Sequence, residues 1–226
     1  MYLGMSHLRM LHIFGRSATA FHIFKFCHNV NSGFTNLGIF VILQTDKTYL
    51  ILHIRQATYS DIDRLMVIFD NAKAIMRNCG NTQQWNGNYP TVKVVRDDID
   101  AGNCFVLCDG EVAGSPLHED GDIIGTMALI PGPDPTYGYI EGQWLDDEPY
   151  YVIHRIATYA PGRNTAVKML DWAFGHIAEK GCRTIRIDTH KDNCIMKHIL
   201  TGYGFNMCGV IYLADGAARD AYQLTK

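Results

Sequence analysis

The segment from Tyr151 to Phe174, YVIHRIATYAPGRNTAVKMLDWAF, contains the residues of this chain that are best suited to do chemistry. It reads as an apolar strand, a loop with proline and glycine, and an amphipathic helix. Backbone N–H groups in such a loop, together with the positive end of the following helix, can bind phosphate oxygens without a metal. The pattern therefore predicts an anion site, and a plain strand-to-helix turn is the alternative.

The strand of this segment carries a candidate general base. Alternation places His154 on the same face as Val152 and Ile156. Histidine side chains ordinarily titrate near neutrality, which suits a base; a histidine hydrogen-bonded for structural reasons is the alternative. Glu141, in the acidic and aromatic stretch before the strand, is a second candidate, with an exposed loop carboxylate as its alternative.

Composition limits the class of ligand. The 226 residues include 20 basic and 23 acidic ones, a balance that argues against nucleic acid and against a polybasic membrane patch and favours a small molecule. Neither GxxxxGK[ST] nor GxGxxG occurs in the sequence. Seven irregularly spaced cysteines without a CxxC pair favour a reducing cytoplasm. Cys104 and Cys108 have no second Cys/His pair at zinc spacing, so no metal is expected.

Two regions differ in composition. Residues 1–45 include three basic residues and no acidic one, and their apolar runs are too short to span a membrane. Residues 1–53 are therefore expected to be an N-terminal extension outside the core fold. Three interpretations compete: a presequence, an extra strand or arm, and upstream sequence read from a wrong start codon. The last of these is favoured. Residues 54–226 carry 22 acidic and 16 basic residues, a net charge of −6, and are expected to form one domain.

The pattern of elements in residues 54–226 predicts an α/β fold of the α+β kind. Ser60 and Asp63 have the spacing of a capping box, and the helix after them has an apolar stripe at helical spacing. The stripe consists of Ile62, Leu65, Phe69, Ala72 and Met76. After this helix come a second helix, a hairpin, and the strand and helix of the opening segment. A strand, a helix and two further strands end the domain. This order predicts a mixed, mostly antiparallel central sheet with helices on both faces.

Residues 54–226 resemble the Gcn5-related N-acetyltransferases, the GNAT superfamily. The opening IRQATYSDI is similar to the IR.AT..D start of those domains, and DTHKDNCIMKHILTGYGF is similar to their closing helix with its GF. The resemblance implies transfer of an acetyl group from acetyl-CoA, without a metal, to a primary amine of a small molecule or peptide. Two-chain assemblies occur in the family, so a homodimer is an expectation.

The resemblance also implies roles for individual residues. Backbone groups of three strand residues match the positions that bind the oxyanion and the pantetheine, and the loop and helix start match the pyrophosphate site. The expected cofactor-binding residues are Ile156, Ala157, Thr158, Gly162, Arg163, Asn164, Thr165, Ala166 and Asn193. N-capping of the closing helix explains Asn193 equally well. Trp85 and Tyr89 could line the acceptor pocket or form an aromatic lid.

Two positions depart from the family pattern. Pro161 and Asn164 stand where family loops have Arg or Gln and then Gly, and proline removes one N–H donor. Leu200 stands where many members have the tyrosine that protonates the departing sulfur. Tyr203, one turn further along the helix, is the candidate substitute, or it packs against the sheet. These departures leave an alternative function, a catalytically weakened acyl-CoA-binding or regulatory module.

Overall fold

A mixed sheet with helices on both faces forms the fold. The computed structural model of the chain describes residues 10–13, 21–24, 40–45, 48–112, 121–159 and 164–226. The strands of this part of the chain are β1 (Met10–Ile13), β2 (Phe21–Phe24), β3 (Phe40–Thr45), β4 (Thr48–Gln56), β5 (Cys104–Val112), β6 (Asp122–Pro131), β7 (Glu141–Gly142), β8 (Tyr150–Thr158), β9 (Thr184–Thr189), β10 (Asn206–Tyr212) and β11 (Ala218–Thr225). The helices are α1 (Ile62–Asn78), α2 (Val92–Asp100), α3 (Thr165–Glu179) and α4 (Cys194–Tyr203), and 3-10 turns span Tyr59–Asp61 and Pro135–Gly138.

The sheet has the predicted mixed and mostly antiparallel character. Its strand order is β1-β2-β3-β4-β5-β6-β8-β9-β11-β10-β7. Among the described strands, β8 and β9 are the one parallel pair, and α3 forms the crossover between them. A parallel connection needs such a crossover, because the chain must return to the same end of the sheet.

Each face of the sheet is covered by one pair of helices. The predicted stripe of α1 is confirmed: Leu65 and Phe69 are buried with Val95 of α2 against one face. On the other face, Leu170 of α3 and Leu200 of α4 belong to a second core. Tyr137, Val152, Ile211 and Ala221 form a smaller third core.

The start of the first helix differs from the predicted capping box. A 3-10 turn precedes α1, and the carboxylate of Asp61 accepts a hydrogen bond from the backbone N–H of Thr58 at 2.7 Å. Arg55 donates to the same carboxylate, also at 2.7 Å. The predicted capping box of Ser60 and Asp63 was wrong. Thr58 and Asp61 form the box instead, and Arg55 holds the carboxylate of Asp61 in place.

The predicted boundary before Ile54 falls inside β4. This strand begins at Thr48 and pairs with β5 from Tyr49 to Gln56. Leu52 is 2% exposed and lies in the same core as Ile54. The strand that contains Ile54 therefore begins before residue 54, and the division into an extension and a domain stays a prediction.

Candidate active site

A cleft opens where β8 and β9 diverge. The two strands pair only from Tyr150 to Val152 of β8, opposite Thr184 to Arg186 of β9. Backbone groups further along β8 on that side have no strand partner among the described residues. Such groups are available to a ligand, because unpaired backbone donors and acceptors must find another partner.

A β-bulge lies at the same point of β8. Ala157 pairs with Thr126 and His154 pairs with Ala128, so two residues of β8 stand opposite one residue of β6. Arg155, the first of the two, has φ 53°, a left-handed conformation that is uncommon for a residue with a side chain. The bulge redirects the strand next to the cleft, as bulges near active sites do.

The cleft encloses a cavity of about 1110 Å³, slightly above the usual range for ligand pockets. Its walls are the C-terminal half of β8, the end of β9, the α1–α2 loop, the first turns of α4 and the β10–β11 hairpin. Predicted site residues that the structure brings together in it are Trp85, Tyr89, His154, Ile156, Ala157, Thr158, Ala166 and Asn193.

The start of α3 has the geometry of an anion site. Asn164 is left-handed, with φ 52° and ψ 30°, as its tolerance of this region allows. Thr165 is 3% exposed, and its hydroxyl has no hydrogen-bond partner among the described residues. An unpaired buried hydroxyl at a helix N-terminus is a donor for a bound phosphate oxygen. Pro161, Gly162 and Arg163 lie outside the described residues.

His154 forms a dyad with a carboxylate that the sequence did not indicate. Its Nε2 lies 2.8 Å from Oδ2 of Asp134. That hydrogen bond is the main cause that lowers the pKa of Asp134 to about 2, and the backbone N–H of Thr136 adds to it. The ionised carboxylate can only accept, so Nε2 holds the proton and Nδ1 presents a lone pair. Within the described part of the chain nothing bonds to Nδ1, which can therefore accept a proton.

Replacing Asp134 with asparagine should remove a stabilising contribution that depends on pH. Because the pKa of Asp134 is lowered from 3.8 to about 2, the contribution is present above pH 3.8 and is lost as the pH falls towards 2. We expect the variant to have a free energy of unfolding on the order of 1 kcal/mol below that of the parent at pH 6, because solvent screens the pair. Urea unfolding at pH 6 and pH 3 measures this, and a difference independent of pH would contradict it.

A buried tyrosine lies beside the dyad. The hydroxyl of Tyr137 donates to Oδ1 of Asp188 at 2.8 Å, and its ring centroid is 6.2 Å from that of His154. Burial, and then the charge of Asp188, raise the pKa of Tyr137 well above its ordinary value. Tyr137 is therefore a neutral donor that orients Asp188, whose carboxylate lines the cavity.

An ion pair fixes the bulge to the helix above it. Nε and Nη2 of Arg155 donate to the two carboxylate oxygens of Asp98 in α2 at 2.8 and 2.6 Å. Nη1 of Arg155 donates to the hydroxyl of Tyr89 at 3.2 Å. The side chains of Arg155 and Asp98 are each 12% exposed. One guanidinium thus ties β8, α2 and the α1–α2 loop together at the cleft.

Gln84 joins the α1–α2 loop to the opposite wall of the cleft. Its Oε1 accepts from Nδ2 of Asn193 and from Nδ2 of Asn81, both at 2.9 Å. The hydroxyl of Thr189, at the end of β9, lies 3.5 Å from the same oxygen. Asn193 also caps α4 as predicted, accepting from the N–H of Met196. No sequence pattern indicated Gln84, because a polar, turn-rich stretch has no periodicity that would single out one residue.

Replacing Gln84 with leucine should raise the KM for the acceptor about 10-fold with a smaller change in kcat. The substitution leaves the amide donors of Asn81 and Asn193 without their acceptor, which destabilises the bound position of the α1–α2 loop by about 1 to 3 kcal/mol. Gln84→Glu keeps an oxygen at the same position and should retain the KM of the parent. Steady-state kinetics of the two variants test this, and equal impairment of both would contradict it.

Two predicted catalytic residues lie away from the cavity. The hydroxyl of Tyr203 donates to Asp171 at 2.6 Å and accepts from Lys226 at 2.7 Å, and its ring stacks on Phe174. Burial, and then the hydrogen bond to Asp171, raise the pKa of Tyr203 far above its ordinary value. Glu141 lies in β7 at the sheet edge, exposed and paired with β10. The structure brings neither side chain to His154.

Two other kinds of site are absent from the described residues. None of the helices in that part of the chain has the length and apolar character needed to cross a membrane. Within the same ranges, no three His, Cys, Asp or Glu side chains are arranged to hold a metal ion.

Comparisons with known proteins identify the family. No protein-family model matches the chain, and no curated protein matches it. A GNAT-family acetyltransferase structure from Streptococcus agalactiae is 33% identical, with a TM-score of 0.61, and the match covers 77% of this chain and 95% of that one. A GNAT-family acetyltransferase from Listeria monocytogenes, 19% identical over 78% of this chain and 95% of that one, has a TM-score of 0.58.

A third structure shares the fold at lower identity. It is the PaiA N-acetyltransferase from Thermoplasma acidophilum in complex with coenzyme A, 12% identical, with a TM-score of 0.54 over 77% of this chain and 99% of that one. At 12% and 19% identity, two of these likenesses show the fold alone, whereas the Streptococcus agalactiae structure shows the family. The chain belongs to the GNAT family of acetyltransferases and is an acyltransferase.

Proposed function

We propose that this protein transfers the acetyl group of acetyl-CoA to a primary amine of a small molecule or peptide. The observation that carries the proposal is the dyad of His154 and Asp134 at the point where β8 and β9 diverge. The diverging strands, the bulge and the unpaired hydroxyl of Thr165 are features that fit a coenzyme A ligand. The PaiA structure, which has the same fold, holds coenzyme A.

The chain's own residues supply a base and hydrogen-bond donors. When bound, acetyl-CoA supplies the acetyl group and a thiolate leaving group. Nδ1 of His154 takes the proton that the amine loses as its nitrogen bonds to the acetyl carbon and the carbon–sulfur bond breaks. The ionised Asp134 stabilises the imidazolium that results. Those backbone N–H groups between Ile156 and Thr158 that point away from β6 can donate to the acetyl oxygen as negative charge develops on it.

The thiolate needs no acid from α4 in this proposal. Leu200, at the tyrosine position of the family, is fully buried, and Tyr203 is held by Asp171 and Lys226. A thiol has a pKa near 8.5, so a thiolate departs readily without prior protonation. Solvent or the protonated His154 can return the proton afterwards.

A catalytically weakened acyl-CoA-binding or regulatory module is the second candidate, and the leucine at position 200 favours it. The two candidates differ in turnover, because a weakened module would bind acetyl-CoA and release coenzyme A only slowly. Rapid, saturable turnover that depends on His154 would exclude the module.

We also propose that the part of the N-terminal extension before β4 lies outside the catalytic domain. The Streptococcus agalactiae and Listeria monocytogenes structures cover 77% and 78% of this chain, close to the share that residues 54–226 represent. Limited proteolysis tests this proposal: cleavage before Thr48 should leave acetyl transfer intact, and loss of activity on such cleavage would contradict it.

We also propose a cytoplasmic location, which the irregular cysteine spacing supports.

Release of coenzyme A tests the proposed function. The full-length protein is mixed with acetyl-CoA and a panel of primary amines and amino-terminal peptides, and free thiol is measured against time. We expect saturable release that depends on the amine. A folded protein that gives no release above background with any acceptor would contradict the proposal.

A further inference from the structure

Two cations of the cavity, Arg219 and Lys191, form no ion pair with a carboxylate of the described residues. Arg219, the second residue of β11, lines the cavity and is partly buried. Its Nη1 donates to the carbonyl oxygen of Ala218 at 2.9 Å, and no carboxylate of the described residues forms an ion pair with it. Lys197, by contrast, pairs with Asp220 at 2.6 Å. A guanidinium is always charged, so Arg219 presents an uncompensated charge and free donors to a ligand.

The sheet places Arg219 on the same face as His154. Ala221 packs with Tyr137 and Val152 in one core. Alternation puts Arg219 with Ala221, and His154 with Val152. Both side chains therefore belong to the face that Tyr137 covers.

The opposite face belongs to α3 and α4. Tyr222 packs in the core of those helices, and Asp220 pairs with Lys197 of α4. The start of α3, with Asn164 and Thr165, follows β8 and packs on that opposite face. Arg219 is thus separated by β9 from the anion site at the start of α3, and it lies on the side where the acceptor must approach His154.

Other polar groups make the charge of the cavity uneven. Nδ1 of His190 accepts from the N–H of Asp192, so its Nε2 carries the proton as a donor. Burial, and then the charges of Arg219 and Lys191, lower the pKa of His190, with Asp192 and Asp220 opposing this. The cations Arg219 and Lys191 line the cavity together with the carboxylate of Asp215.

Carboxylates also line the cavity. Asp134 is hydrogen-bonded to His154, and Asp188 accepts from Tyr137 beside that pair. A cationic amine is attracted to the carboxylate beside His154, and an anion is attracted to Arg219.

Resting on the proposed transfer to an amine, we propose that the acceptor also carries a carboxylate, which Arg219 binds while the amine lies at His154. A guanidinium matches a carboxylate with two parallel hydrogen bonds. Paired strands are about 4.8 Å apart, and β8 and β9 diverge beyond Val152, so the path from β8 over β9 to β11 spans at least on the order of 10 Å. The two groups of the acceptor are therefore separated by a chain of several atoms, as in an ω-amino acid or a peptide.

Matched acceptors test this subsite. Each pair differs by one carboxylate: 4-aminobutyrate and butylamine, 6-aminohexanoate and hexylamine, and a tripeptide with its C-terminal amide. The parent protein should favour the carboxylate member of a pair about 10- to 100-fold in kcat/KM, the range expected for a charged hydrogen-bonded pair. Arg219→Ala should abolish the preference by raising the acceptor KM, and Arg219→Lys should retain part of it. Arg77→Ala, an exposed arginine of α1, is the control.

The outcomes separate this inference from the proposed function. Equal use of both members of every pair would overturn the carboxylate subsite and leave amine acetylation standing. A raised KM for acetyl-CoA in Arg219→Ala, with acceptor preference unchanged, would also overturn it and assign Arg219 to the coenzyme. Failure of the parent protein to acetylate any acceptor would overturn the proposed function and this inference with it.

Discussion

Replacing His154 with glutamine should lower kcat for acetyl transfer about 100- to 1000-fold and leave the KM for acetyl-CoA unchanged. Glutamine can still donate to Asp134, 2.8 Å from the histidine nitrogen, so the local packing is kept. It has no nitrogen lone pair to accept the proton of the amine, which is the step that His154 Nδ1 is proposed to perform. Steady-state kinetics with a saturating amine give the two constants separately.

Two further variants make the result specific. His198→Gln changes an exposed histidine of α4 and should retain the kcat of the parent. Asp134→Asn keeps the histidine but removes the charge that stabilises its protonated form, so we expect a smaller loss, about 10-fold. Parent-like turnover by His154→Gln would rule out His154 as the base.

Replacing Asp98 with alanine should lower the free energy of unfolding by about 3 to 5 kcal/mol, because it leaves the guanidinium of Arg155 buried without its counterion. Both side chains of this pair are 12% exposed, and burial raises the pKa of Asp98 against the opposing effect of Arg155. For a chain of this size the loss corresponds to a fall in Tm of roughly 10 °C. Thermal and urea unfolding measure it.

The neighbouring residue provides the control. Asp97 pairs with Lys93 at 2.7 Å on the exposed face of the same helix, so Asp97→Ala should cost at most about 0.5 kcal/mol. Equal losses of unfolding free energy for the two variants would show that the buried Arg155–Asp98 pair does not stabilise the packing of α2. Replacing Asp98 and Arg155 together with leucine should recover stability but not acetyl transfer, since the left-handed Arg155 holds the bulge in β8.

Periodicity and residue type predicted the sheet with its helices, the buried stripe of α1 and the cap at Asn193. They could not predict Asp134 as the partner of His154, because the two are 20 residues apart and meet only through the 3-10 turn and the strand register. Tyr203 illustrates a different difficulty. It lies three residues after the buried Leu200, which places it on the face of α4 towards α3, and the sequence did not reveal which face meets the cleft.

Calorimetric titration of acetyl-CoA into the full-length protein tests most directly whether the cleft between β8 and β9 is the site of acetyl transfer. We expect one molecule per chain, bound with micromolar affinity. Ala166→Trp, which fills the cavity at the first turn of α3, should abolish binding, and Ala178→Trp, exposed at the other end of the same helix, should not. Absence of binding by the folded parent protein, or full binding by Ala166→Trp, would contradict this assignment.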